Sequence, residues 1–319
     1  MLVALDFFYL LVGLLFAACA LMTLRDKTNP RRFTTALFWG LYALVYLLGE
    51  RLPPAAAGVL MIVMALVAGF GFVRPGKADV LPEAERQSTA ARLGNRLLVP
   101  ALGIPVVTML GSVVLKDVHV GVKVLLDPKN LTLVSMGCGS VAALALACGL
   151  TRATPLQGVR EARRLIDAMS WAVVLPHMLA VLGLLFSEAG VGKAVAHVAT
   201  STIPLDSRLL ACAAFCVGMA LFTVVMGNGF AAFPVIAGGI GIPVLVGVYH
   251  ANPAVMAAIG MFSAYCGTLM TPMAANFNIV PAALLELPDQ NAVIKAQIPT
   301  AFMLLIANIV IMYFFVYHR

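Results

Sequence analysis

Apolar runs of about 20 residues recur along this chain from end to end, each long enough to cross a hydrocarbon core of roughly 30 Å as a helix. They fall at 4 to 24, 33 to 49, 54 to 73, 97 to 115, 130 to 150, 169 to 186, 207 to 226, 230 to 249, 253 to 270 and 297 to 317. Composition agrees, because 62% of the 319 residues are hydrophobic and 11% are charged, with a mean hydropathy of +0.99, outside the range of soluble domains. The expectation is an all-α polytopic membrane protein with nine or ten hydrophobic elements. It forms a single integral membrane domain over 1–319, with a three-span part at 1–93, a middle part at 94–206 and a third part at 207–319.

A net charge of +7 would suggest nucleic acid for a soluble chain, but here the cations sit in short connectors between apolar runs. Three connectors, RDKTNPRR, RPGKADVLPEAERQSTAARLGNR and TRATPLQGVREARRLIDA, carry four, five and four of them. The intervening connectors hold Arg51, then Lys116, Lys123 and Lys129, then Lys193 and Arg208. If each run before residue 226 crosses once, the three basic connectors share one side. The positive-inside rule makes that side the cytoplasm and puts the N-terminus outside. Beyond residue 226 only Lys295 and Arg319 remain, too few to orient the C-terminal part. The expected location is the inner membrane of a bacterium, with the bilayer rather than nucleic acid as partner.

The first run has no basic stretch before it and reads as a retained span rather than a signal peptide. Cys19, Cys138, Cys148, Cys212, Cys216 and Cys266 all lie in apolar runs without CxxC pairing, so they read as small buried hydrophobes. In the third basic connector, Arg160, Glu161, Arg163, Arg164 and Asp167 have helical spacing. They suggest an interfacial helix whose charges form a solvated face. His177, after Pro176, is ionisable within a span and hence a functional candidate. The plain alternative is a neutral imidazole bonded to a carbonyl that Pro176 frees.

The stretch MGNGFAAFPVIAGGIGIP, residues 226 to 243, has too many helix breakers for one clean span, since Gly costs about 1 kcal/mol and Pro about 3 against Ala. Lipid offers no partner for a freed N–H or C=O, so broken backbone at this depth lines protein or water. A re-entrant hairpin or two half-helices is expected over 230–249. A second interruption, GTLMTPMAANFNIVP at 267 to 281, places Thr268, Thr271 and Pro272 in mid-run and follows them with Asn276 and Asn278. Two broken elements separated by one apolar run form the pattern of a transporter substrate site. Half-helix N-termini offer N–H groups to an anion, and freed carbonyls can hold Na⁺. With no Lys or Arg in these stretches, a small monocarboxylate suits them better than a phosphate or a dianion.

The candidate substrate-binding residues are therefore Gly227, Asn228, Gly229, Thr268, Thr271, Pro272, Asn276 and Asn278. A coupling Na⁺ would lie near Asn228 and Asn276, and no other cofactor is expected. The simpler reading of Gly227-Asn228-Gly229 is a tight turn. GNRLLVPALGIPVV at 94 to 107 weakly echoes the later stretch, so an inverted repeat stays open.

REARRLIDAMSWAVVLPHMLAVLG, MGNGFAAFPVIAGGIGIP and GTLMTPMAANFNIVPAALLELPDQNAVIK together resemble a bacterial membrane-protein family designated domain of unknown function 979. The resemblance implies a subunit of a two-component transporter of 5-oxoproline (pyroglutamate) that works with a smaller polytopic membrane partner. It also implies a distant similarity to the ion-transporter superfamily, in which Gly227 to Gly229 would form one loop of the site and Thr271, Pro272, Asn276 and Asn278 the other. The polar Ser-Asn-Thr tips common in that superfamily are not present here. Secondary transport of a small organic anion, coupled to Na⁺ or H⁺, is the leading expectation, not catalysis. A non-transporting accessory subunit is the alternative, and less so an intramembrane hydrolase using Ser140 or Ser263 with His177.

Overall fold

In the computed structural model, residues 3–76, 82–116, 118–120, 123–202 and 207–317 are described. Among them, seven helices are long and apolar enough to cross a membrane, and three shorter apolar helices join them. Val113, Leu184 and Val225 each leave 70% or more of their surface exposed, an arrangement that water would penalise and lipid accepts. The protein is a multi-pass helical membrane protein. Its apolar helices follow the ten runs closely, and the described chain divides into two compact units, Met1–Ser170 and Trp171–Arg319.

The first unit holds α1 (Leu5–Arg25), α2 (Arg32–Leu48), α3 (Pro54–Gly69), α4 (Glu83–Leu93), α5 (Leu98–Val113), α6 (Leu131–Thr151) and α7 (Pro155–Met169). Helices α1 and α2 form an antiparallel hairpin around an aromatic cluster, with Phe16 stacked 5.7 Å from Trp39 and 5.1 Å from Tyr42. Helices α5 and α6 approach through small residues: a Cβ on Gly139 would lie 2.9 Å from the Ile104 carbonyl oxygen. Close backbone contact of this kind holds helices together where lipid leaves no hydrophobic drive between them.

The two ends of this unit agree with the charge count. At one end Val3 N–H donates to Leu125 O (3.0 Å) and Asp127 N–H to Val3 O (3.2 Å), joining the N-terminus to the connector that carries Lys116 and Lys129. A two-residue antiparallel ladder, β1 (His119–Val120) with β2 (Lys123–Val124), lies in that connector. At the other end the three basic connectors meet. Asn29 Nδ2 donates to Arg74 O at 2.6 Å, Arg31 donates to the Gly71 carbonyl, and Arg163 Nη2 lies 2.5 Å from Asp26 Oδ2.

Helix α7 starts at a capping box, in which Thr154 Oγ1 accepts from Gln157 N–H and Gln157 Oε1 accepts from Thr154 N–H. It is the amphipathic helix expected here, but its charges are not all solvated. Asp167 is buried at 6% exposure, accepts from the Trp39 indole N–H at 2.9 Å and lies 3.3 Å from Arg163 Nε. The solvated-face reading therefore fails for Arg163 and Asp167: the aspartate at the end of α1 and the indole of α2 supply partners that spacing within one helix cannot reveal.

The second unit holds α8 (Leu175–Glu188), α9 (Val191–Thr202), α10 (Arg208–Met226), α11 (Gly229–Ile236), α12 (Pro253–Leu269), α13 (Ile279–Leu284) and α14 (Ala292–Phe315). Its core gathers Phe215, Met219, Ile240, Leu245, Met256, Ala264 and Met312 from α10, α12, α14 and the element after α11. Where a re-entrant hairpin or two half-helices were expected, Gly229–Val248 runs as one helical element. It is α over Gly229–Ile236 and π over Ala237–Val248. The wider π turn accounts for the breakers, because hydrogen bonds to the fifth residue back relieve the clash that a proline ring makes in an α-helix. Tyr249 N–H still donates to Val244 O, five residues back, at 3.1 Å. The second interruption is a true break: α12 ends at Leu269, the chain turns through residues 270 to 278, and α13 begins at Ile279.

Candidate functional site

Gly227 closes α10 in the left-handed conformation, φ +68°, where glycine alone is free of strain. Its N–H donates to Thr223 O at 2.7 Å. One residue later Asn228 is the N-cap of α11, its Oδ1 accepting from Phe230 N–H at 2.9 Å. The turn reading of these three residues is thus right locally. It also places them against the second interruption, since a Cβ on Gly227 would sit 2.6 Å from Met273 Cβ and 2.8 Å from its carbonyl oxygen.

The second interruption is held by Asn278. This side chain is fully buried, and its Nδ2 donates to Thr268 O at 2.8 Å and Thr271 O at 2.6 Å. The Thr268 carbonyl belongs to the last turn of α12, where no intrahelical donor reaches it, and Thr271 O lies in the turn beyond, where Ala274 N–H also donates to it at 3.3 Å. Thr271 Oγ1 accepts from Met273 N–H at 3.2 Å, and Thr268 Oγ1 donates to Tyr265 O at 2.7 Å.

Between the two interruptions lies a cavity of about 190 Å³, below the ~300 Å³ at which drug-sized pockets begin and suited to a small metabolite. Gly227, Asn228 and Gly229 line one side, and Tyr265, Thr268 and Met273 to Phe277 the other, with Pro176 and Leu179 of α8 completing the wall. Gly227, Asn228, Gly229, Thr268 and Asn276 of the expected site are therefore brought together. Thr271, Pro272 and Asn278 are not among the lining residues: Thr271 and Asn278 are buried in the turn and Pro272 is exposed. Tyr265 was not foreseen, although it stands one helical turn before Thr268. Nor were Pro176 and Leu179, whose contribution comes from a helix distant in sequence.

Two carboxamides face this space with donors to offer. Asn228 engages its oxygen in the cap, which leaves its Nδ2 for a ligand, and the exposed Asn276 amide has no hydrogen-bond partner among the described residues. The N–H of Gly229 adds a backbone donor at the N-terminal end of α11, where the helix dipole favours negative charge. Among the described residues, no Lys, Arg, His, Asp or Glu lines the cavity. For a cation the side-chain oxygens without a partner among the described residues are the buried Asn278 Oδ1 and the exposed Asn276 Oδ1; Asn228 Oδ1 is already engaged. No cluster of three His, Cys, Asp or Glu that could hold a metal occurs among the described residues. His177, exposed on α8, has its Nδ1 3.3 Å from Val173 O. Ser263 donates to Ile259 O at 2.9 Å and Ser140 to Met136 O at 2.9 Å.

A sequence model of the family described as "Protein of unknown function (DUF979)" matches residues 6–317. The chain belongs to that family. The match takes in both units, so the cavity and the basic connectors alike fall within the family's extent. No curated protein and no solved structure matches the chain.

Proposed function

We propose that this chain is the substrate-binding subunit of a secondary transporter for a small organic anion, 5-oxoproline or a similar monocarboxylate. In this reading it sits in the bacterial inner membrane with its N-terminus outside and works with a smaller polytopic partner. The observation that carries it is the cavity between two helix interruptions, lined by unpartnered Asn228 and Asn276 amide donors and by no ionised side chain. A carboxylate there accepts hydrogen bonds from the carboxamides and the Gly229 N–H. These donors are charge-assisted once the anion is bound and are each worth about 1.5–3 kcal/mol. A lactam fits the same set, because carboxamides both donate and accept.

Coupling to Na⁺ or H⁺ supplies the driving force. For Na⁺ the side-chain oxygens in this region that lack a partner among the described residues are the buried Asn278 Oδ1 and the exposed Asn276 Oδ1. The test is uptake of labelled 5-oxoproline by cells expressing the chain together with its partner, against cells expressing either alone. Uptake that requires this chain and is saturable supports the reading. Full uptake with the partner alone assigns the chain the role of accessory subunit instead.

A further inference from the structure

The cavity does not use the most heavily buried ionic cluster among the described residues, at the basic end of the first unit. Asp26 follows α1 and Asp167 lies in the last turn of α7, with the Arg163 guanidinium between them at 2.5 Å and 3.3 Å. The side chains of Arg163, Asp26 and Asp167 are only 15%, 10% and 7% exposed. One guanidinium balances one carboxylate, so with both aspartates ionised the cluster holds one net negative charge out of water, a state that burial penalises.

The two carboxylates are not equivalent. Asp26 Oδ1 accepts from Thr28 N–H at 2.9 Å and from Thr28 Oγ1 at 2.6 Å, and its Oδ2 takes the shorter contact with Arg163. Burial acts to raise the Asp26 carboxyl, but these hydrogen bonds outweigh it and hold Asp26 below the ordinary value. Asp167 has a neutral indole donor and a longer contact to Arg163, and the Trp39 ring that donates to it is itself fully buried against Phe38. Burial raises its carboxyl above the ordinary value despite Trp39 and Arg163. The groups that face Asp167 are Arg163 on its own helix, Asp26 and the Cys19 thiol from α1 and its end, and the Trp39 indole from α2. Helix α6, also against α7, contains no charged residue.

We propose that Asp167 is a proton-binding site: the Asp26–Arg163–Asp167 cluster takes one proton onto the Asp167 carboxylate, leaving a neutral Arg163–Asp26 pair beside a neutral carboxylic acid. The protonated group keeps the Trp39 hydrogen bond through its carbonyl oxygen. Proton uptake and release here reset the charge that ties α7 to the α1–α2 hairpin. A buried carboxylate that shares a single guanidinium with a second carboxylate is a candidate for proton handling. The inference deepens the transport reading by naming the proton as coupling ion, and rests on it for that consequence alone.

The protein contains two tryptophans, Trp39 and Trp171, so Trp171→Phe leaves Trp39 as the sole reporter on Asp167. Its emission is recorded for the purified full chain in phosphatidylcholine nanodiscs, without substrate, from about pH 4 to pH 9. A sigmoidal transition with its midpoint above 3.8 is expected. Asp167→Asn should abolish it. Asp26→Asn should move the midpoint down, because Arg163 then serves Asp167 alone. Absence of a transition above 3.8, or the same transition in the Asp167→Asn protein, overturns the proposal. So does a midpoint that Asp26→Asn leaves in place. Because no substrate is present, this result stands or falls separately from uptake.

Discussion

Arg163 of α7 and Asp26 at the end of α1, 137 residues apart in sequence, are joined at 2.5 Å in a site nearly closed to solvent. Removing one partner of a buried ion pair leaves the other charge uncompensated, which costs about 3–5 kcal/mol. Arg163→Met leaves two unpaired carboxylates in the cluster. We expect a loss of about 3 kcal/mol, near the lower end because the groups keep slight solvent contact, measured by equilibrium unfolding in mixed micelles.

The pH dependence of stability follows from the two carboxylates of the same cluster, Asp26 and Asp167. Asp167, with a raised folded value, retains its proton where the unfolded chain has already lost it. Its stabilising contribution is complete below 3.8 and is lost as pH rises through the folded value. Asp26 is the reverse: its contribution is complete above 3.8 and is lost as pH falls through its lowered folded value. The wild-type melting temperature should therefore decline as pH rises through the Asp167 transition. In Asp167→Asn that decline should disappear, and scanning fluorimetry over the range checks it.

Gly227 and Gly238 separate turn geometry from glycine content. Gly227→Ala forces a left-handed alanine and puts its Cβ 2.6 Å from Met273 Cβ, so a loss of about 1–3 kcal/mol and a displaced Met273 turn are expected. Gly238 has open space where a Cβ would go, and Gly238→Ala should be neutral or stabilising by up to about 1 kcal/mol. Thermal unfolding of the two variants side by side decides it.

Asn278 is predicted to brace the turn through its Nδ2 and not to contact the organic substrate. Asn278→Leu leaves the Thr268 carbonyl buried without a donor, at about 1–3 kcal/mol, and leaves Thr271 O only the longer bond from Ala274 N–H at 3.3 Å. The expected result is marked destabilisation of the α12–α13 turn, seen as faster proteolysis or hydrogen exchange at residues 268 to 278. Undiminished protection there would contradict this role.

The membrane-spanning helices were legible because lipid demands long apolar runs, and α10, for instance, begins and ends within a residue of its run. The meeting of the three basic connectors was legible from charge counting, as Asn29–Arg74 and Asp26–Arg163 bear out. The continuity of Gly229–Val248 was not, because propensities are referenced to the α-helix and Gly238 to Pro243 are breakers only in that geometry. A local pattern also could not say that Asp167 is buried, since the covering side chains belong to α1 and α2. Of the candidate site, Asn228 and Asn276 were readable as polar groups at breaks. Tyr265, Pro176 and Leu179 were not, because tertiary packing alone makes them a wall.

Asn228 has two roles that substitution can divide. Serine caps a helix about as well as asparagine, whereas an apolar residue there costs about 1 kcal/mol. Asn228→Ser should keep stability while losing the free Nδ2 donor, and Asn228→Leu should lose both. The most direct measurement is equilibrium binding of labelled 5-oxoproline to the purified chain with its partner, comparing wild type, Asn228→Ser and Asn276→Leu. Asn276 is exposed and without a hydrogen-bond partner among the described residues, so its replacement should leave the fold intact. The account predicts saturable binding weakened about 10- to 100-fold by either change, the equivalent of one lost hydrogen bond to a charged group. Wild-type affinity in both variants would contradict it.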